Sequence, residues 1–83
     1  MLESKIQSKI VDKLKKDNWL VVKLIKTSCN GIPDLMCLKD GKTMFIEVKQ
    51  PKGILSEIQK FRIEQLRNQG FEVKIWIDFE KDY

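Results

Sequence analysis

Two carboxylates and a lysine stand where they could act together. Asp34 and Glu47 lie on either side of Asp40-Gly41. An Asp-Gly pair between two apolar, branched segments signals a two-residue hairpin, because a type I′ turn needs positive φ at both central residues. That hairpin pairs Lys39 with Lys42 and therefore sets Asp34 opposite Glu47. Opposed residues project from one face of a sheet with Cβ atoms roughly 4.5–5.5 Å apart, and like charges there repel. Neither acid stands on a polar stripe: Glu47 lies inside Met44-Phe45-Ile46-Glu47-Val48, and Asp34 precedes Leu35-Met36-Cys37-Leu38. Two acids so placed need a bound cation, a shared proton or a basic partner. Lys49, two residues beyond Glu47, shares its face and is a candidate salt-bridge partner. One lysine, however, balances only one of two carboxylates. A divalent cation balances both, and Mg²⁺ typically takes one or two carboxylates and keeps several waters.

Two further residues sit where their burial needs explaining. At about 100° per residue, Glu3 falls between Ile10 and Leu14 on a helical wheel, in the middle of an apolar stripe. It either joins the acidic pair or sits at a helix amino terminus, where the dipole favours an acid. Gln59 falls within the arc of Leu55, Ile58, Ile63 and Leu66, beside Arg62. Ser56-x-x-Gln59 also has the form of a capping box, in which the glutamine returns to the cap's own amide.

The elements that must position these groups follow from periodicity. Leu2, Ile6, Ile10, Val11 and Leu14 recur at helical spacing across residues 2–17, with Lys5, Lys9, Asp12 and Lys16 opposite and Asn18 as a stop. Trp19–Lys26 is rich in branched and aromatic residues and reads as a strand. After the loop Thr27–Pro33, Pro33–Lys39 and Lys42–Lys49 form the hairpin strands. Pro51 and Gly53 break the chain; Ser56 caps a helix running to about Gln69, and Gly70 ends it. Phe71, Val73, Ile75 and Ile77 alternate with Glu72, Lys74 and Trp76 as a last strand. The order is helix, three strands, helix, strand, a small mixed α/β sheet in which the second helix forms a crossover.

Composition narrows the chemistry. The 83 residues contain no histidine, which excludes histidine-based triads, His-ligated zinc hydrolases and HNH-type nuclease sites. Cys29 and Cys37 match no CxxC or zinc spacing, and with no secretory signal they are expected to be reduced thiols in the cytoplasm. Any metal is then a hard cation held by carboxylates. The longest apolar runs, Trp19–Val22 and Leu35–Leu38, are four residues, far short of the roughly 18 that span a bilayer, so no membrane partner is expected. Sixteen Lys and Arg against twelve Asp and Glu give +4, which suits a polyanionic partner and equally a lysine-rich surface.

Gly31-Ile32-Pro33-Asp34, Glu47-Val48-Lys49 and Leu55-Ser56-x-x-Gln59, in this order, resemble the motifs of the PD-(D/E)XK nuclease superfamily. Within it they resemble the VRR-NUC family, as a stand-alone member of phage or bacterial type. The likeness runs from Glu3 to about Ile77; the Val-Arg-Arg sequence that names the family has no counterpart, the last strand reading Val73-Lys74-Ile75-Trp76. The resemblance implies a restriction-endonuclease-like αβββαβ core, a mixed sheet of about four strands flanked by two helices, in a single domain over residues 1–83. It implies a structure-selective endonuclease that hydrolyses phosphodiester bonds in branched DNA such as Holliday junctions, as a homodimer, with Mg²⁺ or Mn²⁺. Asp34, Glu47 and the Val48 carbonyl would hold the metal, with Glu3 completing the site directly or through water. Lys49 would orient or help deprotonate the attacking water, and Gln59 would position the lysine, the water or the phosphate. Gly31 and Pro33 would set the turn that presents Asp34. Trp19 and Trp76 are candidates for the dimer interface, or else core fillers. The expected setting is the cytoplasm of a bacterial cell or a phage-infected host. The competing reading is a non-catalytic DNA-binding module that keeps the fold, or a subunit tethered to a partner such as a helicase. Against the binding module stand Asp34, Glu47 and Lys49, which binding alone does not require.

Overall fold

The computed structural model describes residues 3–77; Leu2, part of the expected apolar stripe, lies outside them. Helix α1 spans Glu3–Lys16 and buries Ile6, Ile10, Val11 and Leu14 along one side, the stripe that the spacing predicts. Asn18 takes φ 68°, the left-handed conformation that asparagine tolerates better than most residues. The Trp19 N–H then donates to the Leu14 carbonyl at 3.0 Å and the Asn18 N–H to Lys15 at 3.0 Å, a Schellman closure that satisfies carbonyls the helix leaves open.

Strands β1 (Leu20–Lys23), β2 (Leu35–Lys39), β3 (Lys42–Val48) and β4 (Glu72–Trp76), with helix α2 (Glu57–Asn68) between β3 and β4, complete the order. The sheet runs β1-β2-β3-β4, antiparallel at the first two junctions and parallel at the third. This is the expected αβββαβ mixed sheet. The hairpin holds the expected register, Lys39 against Lys42 and Leu35 against Ile46. Asp40 and Gly41 take φ 51° and 77°, both positive as the type I′ turn demands. Strand β1 is shorter than Trp19–Lys26: Lys23 pairs with Leu35, the first residue of β2. Beyond that pair one last bond, from the Leu24 N–H to the Asp34 carbonyl at 2.8 Å, closes the ladder.

The two helices cover opposite faces. Under α1, its apolar stripe meets Leu35, Cys37, Met44, Ile46, Val48 and Trp76. Under α2, Phe45, Ile63 and Val73 pack with Met36, Leu55, Leu66 and Ile75. Because β4 is covered on both sides, its alternation does not separate core from solvent: Trp76, on the supposed polar side, is 5% exposed while Phe71 is 41% exposed. Of the two expectations for Trp76, interface residue or core filler, the structure shows the second: it is part of the core under α1. Trp19 packs partly buried against the same cluster. Among the described residues no helix is long and apolar enough to cross a membrane.

Candidate active site

The loop before β2 is clamped onto α2. Gly31 has φ +79°, and a Cβ there would lie 2.6 Å from the Ile58 carbonyl oxygen, so only glycine lets this backbone approach the helix without displacement. One residue earlier, the Arg62 Nε–H donates to the Asn30 carbonyl at 2.8 Å. Pro33 is fully buried. The chain therefore enters β2 with Asp34 in a fixed place, and its Oδ2 accepts the Val48 N–H at 2.9 Å. A carboxylate thus replaces the main-chain acceptor that would continue the β2–β3 ladder. In a strand, a residue's N–H and C=O leave the backbone on the same side, so the Val48 carbonyl is directed towards the same edge.

Glu47 lies on the central strand β3, 1% exposed, the one buried charged residue of the described core. Its carboxyl is pushed up to about 8, first by burial, next by the Asp34 charge and by sharing a proton with that carboxylate. Lys49 pulls it back and Glu3 pushes it slightly further up. The structure thus brings Asp34, Glu47, Lys49 and Glu3 to one end of the sheet. Glu47 Oε1 is buried with no hydrogen-bond partner, an arrangement that is costly without a counter-group.

Gln59 takes the capping role: the Gln59 N–H donates to Ser56 Oγ at 3.2 Å, and Gln59 Oε1 accepts the Ser56 N–H at 2.9 Å. That bond uses the carbonyl end of the carboxamide and keeps Gln59 at the amino end of α2. Arg62 was legible only as a polar residue on the helix arc. Its link to Asn30 joins residues 32 apart, and no local spacing signals it.

A buried carboxylate oxygen without a partner, beside a second carboxylate and a main-chain carbonyl edge, suits a hard divalent cation. Among the described residues, no three His, Cys, Asp or Glu side chains converge as a ready-made cage. The protein's charged ligands would therefore be two, Asp34 and Glu47, as Mg²⁺ accepts when water fills the remainder. Glu3 does not join this pair as a third ligand; its charge acts on Glu47 more weakly than those of Asp34 and Lys49.

The fold is thus a four-stranded sheet layered between two helices, with Asp34 and Glu47 meeting near the carboxy end of β3. Residues 1–76 match the VRR-NUC domain. A solved structure described as a VRR-NUC domain matches with a TM-score of 0.85 at 28% identity, covering 94% of this chain and 86% of that one. No curated protein matches the sequence. The chain belongs to the VRR-NUC family, a family of nuclease-fold, DNA-processing domains.

Proposed function

We propose that the protein is a Mg²⁺- or Mn²⁺-dependent endodeoxyribonuclease that cuts branched DNA, four-way junctions among them, as a homodimer. The observation that carries this reading is the buried, unpartnered Oε1 of Glu47 beside Asp34, because DNA binding alone gives no reason to keep two carboxyls in repulsion under apolar surface. Asp34, Glu47 and the Val48 carbonyl would hold the cation. Bound there, it would make water more acidic and neutralise charge on the phosphate oxygens. Glu47 and Asp34 fix where that charge sits, since Asp34 is anchored to the Val48 N–H and Glu47 is immobilised by burial. Lys49 adds an ammonium on the same face, placed to hold the phosphate as negative charge develops or to relieve water of a proton. Gln59, next to the clamped loop, keeps the end of α2 in place. The described domain, two helices on a four-stranded sheet, offers little surface for reading base sequence, which favours recognition of DNA shape and backbone. A twofold dimer would present two such sites to a twofold substrate.

The test is a panel of four-way, flap, single-stranded and duplex DNA with Mg²⁺ and with Mn²⁺. Wild type is expected to cut the branched forms. Lys49→Ala and Glu47→Ala are expected to lose cleavage by at least about 100-fold, the range for removing a charge-stabilising or acid–base group, while still binding DNA. Wild type that binds every substrate and cuts none would make the protein a binding module.

A further inference from the structure

We infer that a groove on the β4 side of Lys49 receives an unpaired nucleotide beside the phosphate that is cut. The inference rests on the nuclease reading above and gives it a basis for selecting branched DNA. Glu47 has Asp34 to one side and, on β4, Ile75 as its register partner on the other. Beyond Ile75 the same face continues to Ile77, and together with Lys49, Lys60, Ile54 and Leu55 these residues line a groove of about 430 Å³. Lys49 thus borders both the carboxylate pair and the groove.

The wall and the rim differ in chemistry. Ile54, Leu55, Ile75 and Ile77 offer aliphatic surface, while Lys49 and Lys60 bring two ammonium groups. Lys60 meets Glu57 at 3.5 Å, but both side chains are more than half exposed, and such pairs exchange readily for a phosphate. Flat apolar faces joined to an anion are the features of a nucleotide, and extruded bases are held between apolar side chains. The volume is within the roughly 300–1,000 Å³ of small-ligand sites. A paired base cannot enter, because its faces are engaged in the duplex stack. Ile54 forms the lip at 83% exposure, carried by the turn that the Gly53 N–H closes onto the Gln50 carbonyl at 2.8 Å. A Cβ on Gly53 would lie 3.4 Å from the Lys49 side chain, so this turn packs directly over Lys49.

The experiment is a coupling cycle between base and side chain. Flapped duplexes carry, at each unpaired position in turn, a normal nucleotide, an abasic one or 2-aminopurine. Binding is measured by anisotropy without divalent ions, and cleavage separately with Mg²⁺. Ile54→Ser is exposed enough to leave the fold intact, which circular dichroism checks. At one position the abasic substitution is expected to weaken wild-type binding by at least about fivefold, the lower end of a single base contact. Ile54→Ser should weaken the intact substrate by a similar factor and make the abasic change nearly silent. The 2-aminopurine signal should change at that same position and lose most of the change in Ile54→Ser. Independent, multiplying effects, no sensitive position, or no DNA binding at all would overturn the assignment. Coupling without cleavage would instead count against the nuclease reading, and cleavage without coupling would leave that reading standing while removing the groove.

Discussion

At Glu47 the requirements of stability and chemistry oppose each other. Its carboxyl is raised from the ordinary 4.5 to about 8, so in the absence of a cation the fold keeps a proton that the unfolded chain has already released. Below about pH 4.5 both states are protonated and nothing is lost; stability then falls as pH rises, and the loss is complete above about pH 8. Thermal melts in chelator from pH 5 to 9 should show that slope, on the order of a few kcal/mol in total. Glu47→Gln removes the charge and keeps the shape, so it should flatten the slope and melt above wild type at pH 9, while losing cleavage. A Glu47→Gln variant that melts below wild type at that pH would refute the repulsion. The meeting of Asp34 with Glu47 was legible in the sequence because a two-residue turn fixes the parity of everything paired across it. Gln59 was legible only as an ambiguity, since the capping pattern and the apolar arc fall on the same turn of helix. Its bonds to Ser56 place it structurally, whatever its amide does with substrate.

The elements that hold this pair are two turns and a clamp, and they fail differently. Gly31 and Gly41 both have φ near +80°, so an alanine at either adopts a left-handed conformation at a cost of roughly 1–2 kcal/mol. A Cβ at Gly41 meets nothing within 4 Å, whereas one at Gly31 meets the Ile58 backbone at 2.6 Å. Denaturant unfolding should therefore find Gly41→Ala destabilised by about 1 kcal/mol and Gly31→Ala by about 3 kcal/mol or more. Activity should fall further for Gly31→Ala, because its loop carries Asp34. Equal losses for the two variants would mean that the close approach to α2 is not what fixes the loop. The helices and the hairpin were readable because they carry boundary signals of their own: the Ser56 cap, the left-handed Asn18 and Gly70, and the Asp-Gly turn. Strand β4 was readable as a strand but not in its burial, because a strand covered on both faces loses the period-2 contrast. The clamp from Arg62 to Asn30 belongs to tertiary structure and has no local sequence signature.

For the whole molecule, one helix on each face of a four-stranded sheet gives two small cores, and a chain this short has only a narrow margin of stability. A single repelling pair at the end of its central strand then takes up a large share of that margin, and whatever neutralises the pair must be felt by the entire fold. A ligand that binds only the native state adds about 2.7 kcal/mol at a hundred times its Kd, and in a domain of this size each kcal/mol moves Tm by about 4–8 °C. At pH 8, saturating Mn²⁺ or Mg²⁺ should thus raise the melting temperature by roughly 10–20 °C, without DNA and independently of any cleavage. Glu47→Gln should lose most of that rise. Ile54→Ser, whose side chain borders the groove and not the carboxylates, should keep it. A rise of equal size in Glu47→Gln would put the cation elsewhere on the molecule, and no rise in wild type would leave Lys49, the Val48 N–H and a shared proton to hold Asp34 and Glu47 together.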